Sequence, residues 1–284
     1  MTGFRQIDLF VFDLDGTALG GYEPYERLPD PFSAFLDDLD AHGVCWGTNT
    51  TWHPNLQMQM LERSAVRSQP AFLLGRTGLL RALAPIPAAV PVYDPAWETQ
   101  AAELELTWRQ TVAPLLREYA ANQGSADGLR LQPVADEPLM LSACFSAADP
   151  AGACRRLQAF LRAAGGRAVL QPDSDRQGAV ILPARMTKGA ALSRLQVELG
   201  WRPQRTLVAG DSENDLSMLK RRLARFQVCP ANAQAAVRRC VKRNRGIAGR
   251  ADFSDGVIEA ACRLLRVPDS GPGPAPGNGS PACP

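Results

Sequence analysis

Two short apolar runs, far apart in the chain, each end in a pair of carboxylates, and this repetition constrains the fold more than any other feature. Leu9, Phe10, Val11 and Phe12 lead into Asp13 and Asp15; Thr206 to Ala209 leads into Asp211 and Asp215. A short continuous apolar run suits a strand buried on both faces of a parallel sheet. In such a sheet all carboxyl ends emerge on one edge, where open α/β folds place their ligand crevice. Four carboxylates gathered there would repel one another strongly. A hard divalent cation relieves that repulsion, and coordination by few carboxylates is what Mg²⁺ takes, commonly together with a phosphate-bearing substrate. Taken alone, Asp15-Gly16 is an ordinary turn that ends a strand. The second acidic pair is what makes a metal the economical explanation.

The segments between the two runs complete the pattern. "DPFSAFLDDLDAHG" has Phe32, Phe35, Leu36 and Leu39 at helical spacing and a stop at Gly43. "VCWGTNTT" reads as a short strand running into a hydroxyl-rich loop, "NLQMQMLERSA" as a helix and "AFLLG" as another strand. This alternation predicts a Rossmann-like parallel α/β sheet. The middle of the chain departs from it. A long helical segment, "ETQAAELELTWRQTVAPLLREYAAN", with a bend expected at Pro114, precedes strands at "LRLQPV" and "LMLSACFSA". A helix over "DPAGACRRLQAFLRAAGG" follows, capped by Asp149, with Pro150 in its first turn and Gly165-Gly166 at its end. "RAVLQP" and "GAVILPA" then predict a strand pair. The expected organisation is an α/β core over 1–75 and 184–267, an inserted α+β (α-β-β-α-β-β) cap over 76–183, and a disordered Pro/Gly-rich tail over 268–284.

Bulk properties exclude some classes of function. A net charge of +2 over 284 residues is too small to argue for nucleic acid or a membrane surface. Charge is unevenly placed, however: Leu216 to Ala251 contains no Asp or Glu, while Lys and Arg recur from Lys220 to Arg250. This could attract anions, but a solvated basic surface is the simpler reading. Seven cysteines without a C-x-x-C pair argue against a complete disulfide framework. No stretch approaches the length of a membrane span, and the N-terminal apolar run is broken by Asp13 and Asp15. The expected location is the cytoplasm, with a small phosphorylated molecule as partner, no nucleic acid and no membrane, in a monomer or homodimer.

"DLDGT" (Asp13 to Thr17), a lone Lys188 in "RMTKGAAL" and "GDSENDLSML" (Gly210 to Leu219) resemble motifs one, three and four of the haloacid dehalogenase-like phosphatases. The place and pattern of the insertion resemble the type IIB cap of that superfamily. "VILPARMTKGAAL" with "VAGDSENDLSML" is most similar to the sucrose-phosphate phosphatase group within it. The resemblance implies a Mg²⁺-dependent phosphatase acting on a small phosphomonoester, expected to be a sugar phosphate. Asp13 is then the nucleophile that forms an aspartyl-phosphate, and Asp15 the acid and base that protonates the leaving oxygen and deprotonates water. Thr48, Lys188 and Asn214 are the implied phosphate-binding residues. The implied metal residues are Asp13, Asp15 through its backbone carbonyl, Asp211 directly, and Asp215 in support.

Alternatives stand beside these assignments. Thr50 and Thr51 are close enough to fill the role of Thr48. A single lysine such as Lys188 is usually a surface residue, and only its position before "GAAL" raises it. His42 and His53 lack metal-ligand spacing and read as helix-end or loop residues. Trp97 and Trp108 could stack on a sugar, although a core role is preferred. A phosphomutase or phosphotransferase would use the same scaffold, and a non-catalytic anion or nucleic-acid binder is the remaining alternative.

Overall fold

The computed structural model describes residues 7–20, 26–82, 92–122, 126–134, 137–146, 148–173 and 178–265; the tail expected over 268–284 lies outside them. Along the chain the strands are β1 (Leu9–Phe12), β2 (Cys45–Asn49), β3 (Phe72–Gly75), β4 (Leu80–Ala82), β5 (Leu129–Val134), β6 (Glu137–Phe145), β7 (Ala168–Asp173), β8 (Gly178–Pro183), β9 (Thr206–Ala209), β10 (Phe226–Cys229) and β11 (Ile247–Ala248). The helices are α1 (Asp30–Ala41), α2 (Pro54–Glu62), α3 (Pro95–Thr107), α4 (Ala113–Asn122), α5 (Pro150–Ala163), α6 (Lys188–Leu199), α7 (Ala235–Arg243) and α8 (Phe253–Leu265). The chain divides into two compact units, Met1–Asp94 with Lys188–Pro284, and Pro95–Thr187.

The larger unit holds a sheet of order β11-β10-β9-β1-β2-β3-β4, parallel except for β4, which runs antiparallel to β3. The two apolar runs lie side by side: Leu9 pairs with Thr206 and Phe12 with Ala209. Every residue of β1 and β9 is buried, as their uninterrupted apolar sequences require. On one face Phe10, Phe12, Trp46, Leu73 and Leu207 join a core cluster with Phe32, Phe35 and Leu36 of α1 and Val257, Ala260 and Leu264 of α8. Phe12 sits edge-on to Phe32, ring centroids 5.1 Å apart, a favoured aromatic geometry. Gly43, with φ +75°, ends α1 in the left-handed region expected of a helix stop.

The smaller unit has a separate sheet of order β5-β6-β8-β7, antiparallel throughout. It begins at Pro95, later than the 76 expected from sequence, because β4 pairs with β3 and so continues the core sheet. The long helical segment is interrupted by a π-helical turn, Trp108–Val112, in which the Ala113 N–H donates to the Trp108 carbonyl. Pro114 has no N–H for the Gln110 carbonyl, and the widened turn falls directly before it. Asp149 caps α5, its side chain accepting from Gly152 N–H at 2.8 Å. Trp97 and Trp108 are buried, which fits their core reading. His42 and His53 cap the ends of α1 and α2. The basic residues between Lys220 and Arg250 are exposed. Among the described residues no helix is long and apolar enough to cross a membrane.

Candidate active site

The site forms where β1 and β9 end. Asp13 extends β1 by one residue, its N–H donating to the Ala209 carbonyl at 3.2 Å, and it is only 4% exposed. The chain then turns sharply: the N–H groups of Thr17, Ala18 and Leu19 converge on the Leu14 carbonyl. Gly16 is required here on two counts. Its φ is +73°, and a Cβ at this position would lie 2.3 Å from Asp211 Oδ2. The turn brings the Thr17 hydroxyl to Asp211 Oδ1, to which it donates at 2.7 Å.

After β9 the chain enters a short 3₁₀ helix, Glu213–Ser217, with Ser212 at its N-cap. Asp215 Oδ2 accepts from the N–H groups of Asp211 and Ser212 at 2.9 and 3.0 Å, which folds the loop around the carboxylate. Its other oxygen, Oδ1, is 2.6 Å from Lys188 Nζ. Lys188, the first residue of α6 and fully buried, also reaches Asp13 Oδ1 at 2.8 Å. One ammonium therefore bridges the acids of the two strand ends. One oxygen from each of Asp13, Asp211 and Asp215 lies within 4.8 Å of the others.

Three carboxylates around one lysine leave negative charge in a buried place. Burial pushes the Asp13 carboxyl well above its ordinary range; Lys188 opposes this, while Asp215 and Asp211 add to it. Burial, then Asp215, lifts Asp211 to about 7 against the pull of Thr17 and Lys188. Burial would lower Lys188, but Asp13 and Asp215 outweigh it and raise the ammonium above its ordinary value. The donor set consists only of oxygens with uncompensated charge, which suits a hard divalent cation.

The remaining residues expected from sequence are placed differently. The Asp15 carboxylate accepts from Trp52 Nε1 at 2.7 Å. The Thr48 hydroxyl donates to Gln57 Oε1. Because Phe12 pairs with Thr48, the residue next in register beside Asp13 is Asn49, whose amide donates to the Lys188 carbonyl at 2.9 Å. Asn214 Oδ1 accepts from the Ser212 hydroxyl at 3.0 Å. Sequence reasoning did not single out Trp52 or Gln57 and assigned no role to Asn49. Gln57 had a signal: it is a polar residue on the buried side of α2, beside Met58, Met60 and Leu61. Its amide donates to the carbonyls of Trp52 and Leu74, tying the loop after β2 to β3.

A parallel sheet whose strand ends carry a lysine-bridged acid cluster, with a separate antiparallel unit inserted in the chain, defines a haloacid dehalogenase-like phosphatase, a phosphoric monoester hydrolase. A family model of sucrose-6F-phosphate phosphohydrolase matches residues 7–263, and the chain belongs to that family. It is 27% identical over 257 residues to the mannosylfructose-phosphate phosphatase of Agrobacterium fabrum, covering 90% of this chain and 96% of that protein. Solved structures share the fold. The sucrose-phosphatase of Synechocystis, determined with sucrose and phosphate, matches with a TM-score of 0.64 at 22% identity over 92% of this chain and 98% of its own. A haloacid dehalogenase-like hydrolase from Bacillus subtilis matches with a TM-score of 0.57 at 12% identity over 94% of this chain and 95% of its own.

Proposed function

We propose that this phosphatase hydrolyses a phosphorylated disaccharide, with Mg²⁺, through an aspartyl-phosphate on Asp13. The observation that carries the proposal is the bridge from Lys188 to both Asp13 and Asp215, with Asp211 alongside. The substrate class is supported by the family and by the mannosylfructose-phosphate phosphatase, both named for phosphorylated disaccharides.

In this reading Asp13 attacks phosphorus while the bond to the sugar oxygen breaks, and Asp15 gives that oxygen a proton. A water then attacks the aspartyl-phosphate, Asp15 takes its proton, and phosphate leaves with Asp13 restored. Lys188 keeps Asp13 oriented and offsets charge on the phosphoryl oxygens. Asp13, Asp211 and the Asp15 carbonyl would hold Mg²⁺. Asp215, both of whose oxygens already accept hydrogen bonds, would fix Lys188 and the Asp211 loop around it. When bound there, Mg²⁺ would neutralise charge on the transferring phosphoryl group. Thr48 or its neighbours Thr50 and Thr51, with Asn214, complete the proposed phosphate pocket.

The test is phosphate release from mono- and disaccharide phosphates, including sucrose 6F-phosphate and mannosylfructose phosphate, with Mg²⁺ and with a chelator. Metal-dependent release that favours a disaccharide phosphate supports the proposal. Conversion of a sugar phosphate to its isomer without net phosphate release would instead establish a mutase.

A further inference from the structure

Trp52 belongs to none of the motifs that define the family resemblance, yet its indole touches the residue proposed to move the proton. The Nε1–H donates to Asp15 Oδ2 at 2.7 Å, a short contact of the kind expected for a carboxylate acceptor. Both partners are held independently. The Trp52 carbonyl accepts from Gln57 Nε2 at 3.0 Å and from Arg76 N–H at 3.2 Å, and its own N–H donates to Thr50 Oγ1 at 3.4 Å. A Cβ on Gly75 would stand 2.5 Å from the Trp52 carbonyl oxygen, so the strand-end backbone passes too close for any side chain. The indole packs against the core cluster. Asp15 stands in the turn closed on the Leu14 carbonyl and bridges to Leu19. The ring is therefore a fixed donor, and the carboxyl group meets it from a backbone that is also fixed.

We propose that Trp52 is a positioning residue for the proton-transfer steps. Its N–H sets the plane of the Asp15 carboxyl group by donating to Oδ2, and so aims the travelling proton. That proton passes to the sugar oxygen as the bond from phosphorus to that oxygen breaks and Asp13 bonds to phosphorus. It is replaced from the water that later displaces Asp13. The inference rests on the phosphatase reading above and adds to it a residue that acts through Asp15 and makes no bond to phosphorus.

Trp52→Phe tests it: an aromatic ring stays against the core cluster while the donor is lost, and the two-substrate ratio below separates the lost donor from the lost volume. The readout is the ratio of kcat/KM for a disaccharide phosphate to kcat/KM for p-nitrophenyl phosphate. A sugar alkoxide needs a proton to leave, whereas nitrophenolate leaves without one. The ratio should fall by about 10- to 100-fold. An unchanged ratio, whether both activities hold or both fall together, overturns the inference, because a merely structural tryptophan would affect both substrates alike. A second measurement does not depend on turnover. The Trp52 indole N–H resonance, identified by its loss in Trp52→Phe, should move in Asp15→Ala; a resonance that stays in place overturns the pairing. Failure of the wild type on every sugar phosphate would count against the proposed substrate, and the resonance would still decide whether Trp52 pairs with Asp15.

Discussion

Asp13 and Asp215 share one buried ammonium with Asp211 alongside, and the chemistry of each residue follows from that imbalance. A carboxyl whose pKa is raised on folding, as burial raises Asp211 to about 7, holds its proton more tightly in the folded state than in the unfolded one. Between roughly pH 4 and pH 7 the folded state thus binds more protons, and stability falls as pH rises through that window. Without divalent cations, urea midpoints should drop across it, Asp211 accounting for at most about 4 kcal/mol. Asp211→Asn should flatten the dependence, and Mg²⁺ should offset most of it. Lys188 gives the complementary prediction. Lys188→Met leaves Asp13 and Asp215 unpaired in a buried site, a loss of about 3–5 kcal/mol. The loss should be larger at pH 8 than at pH 5.5, where protonation relieves the repulsion, and phosphatase activity should disappear at both.

At the scale of elements, the site depends on how closely α6 approaches the 3₁₀ helix that follows β9. The Gly189 N–H donates to Ser217 Oγ at 2.9 Å, and a Cβ on Gly189 would lie 2.1 Å from the Ser217 carbonyl oxygen. Gly189→Ala must push these elements apart and carry Lys188 away from Asp215. We expect a stability loss of about 1–3 kcal/mol in urea denaturation and a fall in kcat that exceeds any rise in KM. The elements that build the site were legible in the sequence because their signals are local: uninterrupted apolar runs for β1 and β9, helical spacing and a terminal glycine for α1. β4 was not, since three residues on a sheet edge show no period, and with it the start of the smaller unit was read too early. The π-helical turn before Pro114 falls where a simple bend was expected. Within the site, the acids and Lys188 stood out by type and spacing. The bond from Trp52 to Asp15 spans 37 positions and exists only once β1 and β2 are paired, so nothing local announces it. The same holds for Asn49, which reaches the Lys188 carbonyl across 139 positions.

At the scale of the molecule, one sheet gathers acids from two distant segments of the sequence, and Pro95–Thr187, which lies between them, folds as a separate unit around an antiparallel sheet. This explains why the lysine that bridges the acids comes from the first residue after the insertion: the chain re-enters the core at α6. Mg²⁺ should therefore stabilise the chain by joining these two segments. The ion should raise the melting temperature of the wild type by several degrees and that of Asp211→Asn far less. As the proposed nucleophile, Asp13 should become covalently phosphorylated during turnover. This is tested most directly by acid-quenching the enzyme with Mg²⁺ and a hydrolysed substrate, then locating any phosphoryl group by peptide mass. One phosphoryl group is expected on the peptide that contains Asp13, absent from Asp13→Asn, which should release no phosphate. Full phosphate release by Asp13→Asn, or a phosphoryl group trapped on another residue, would contradict this.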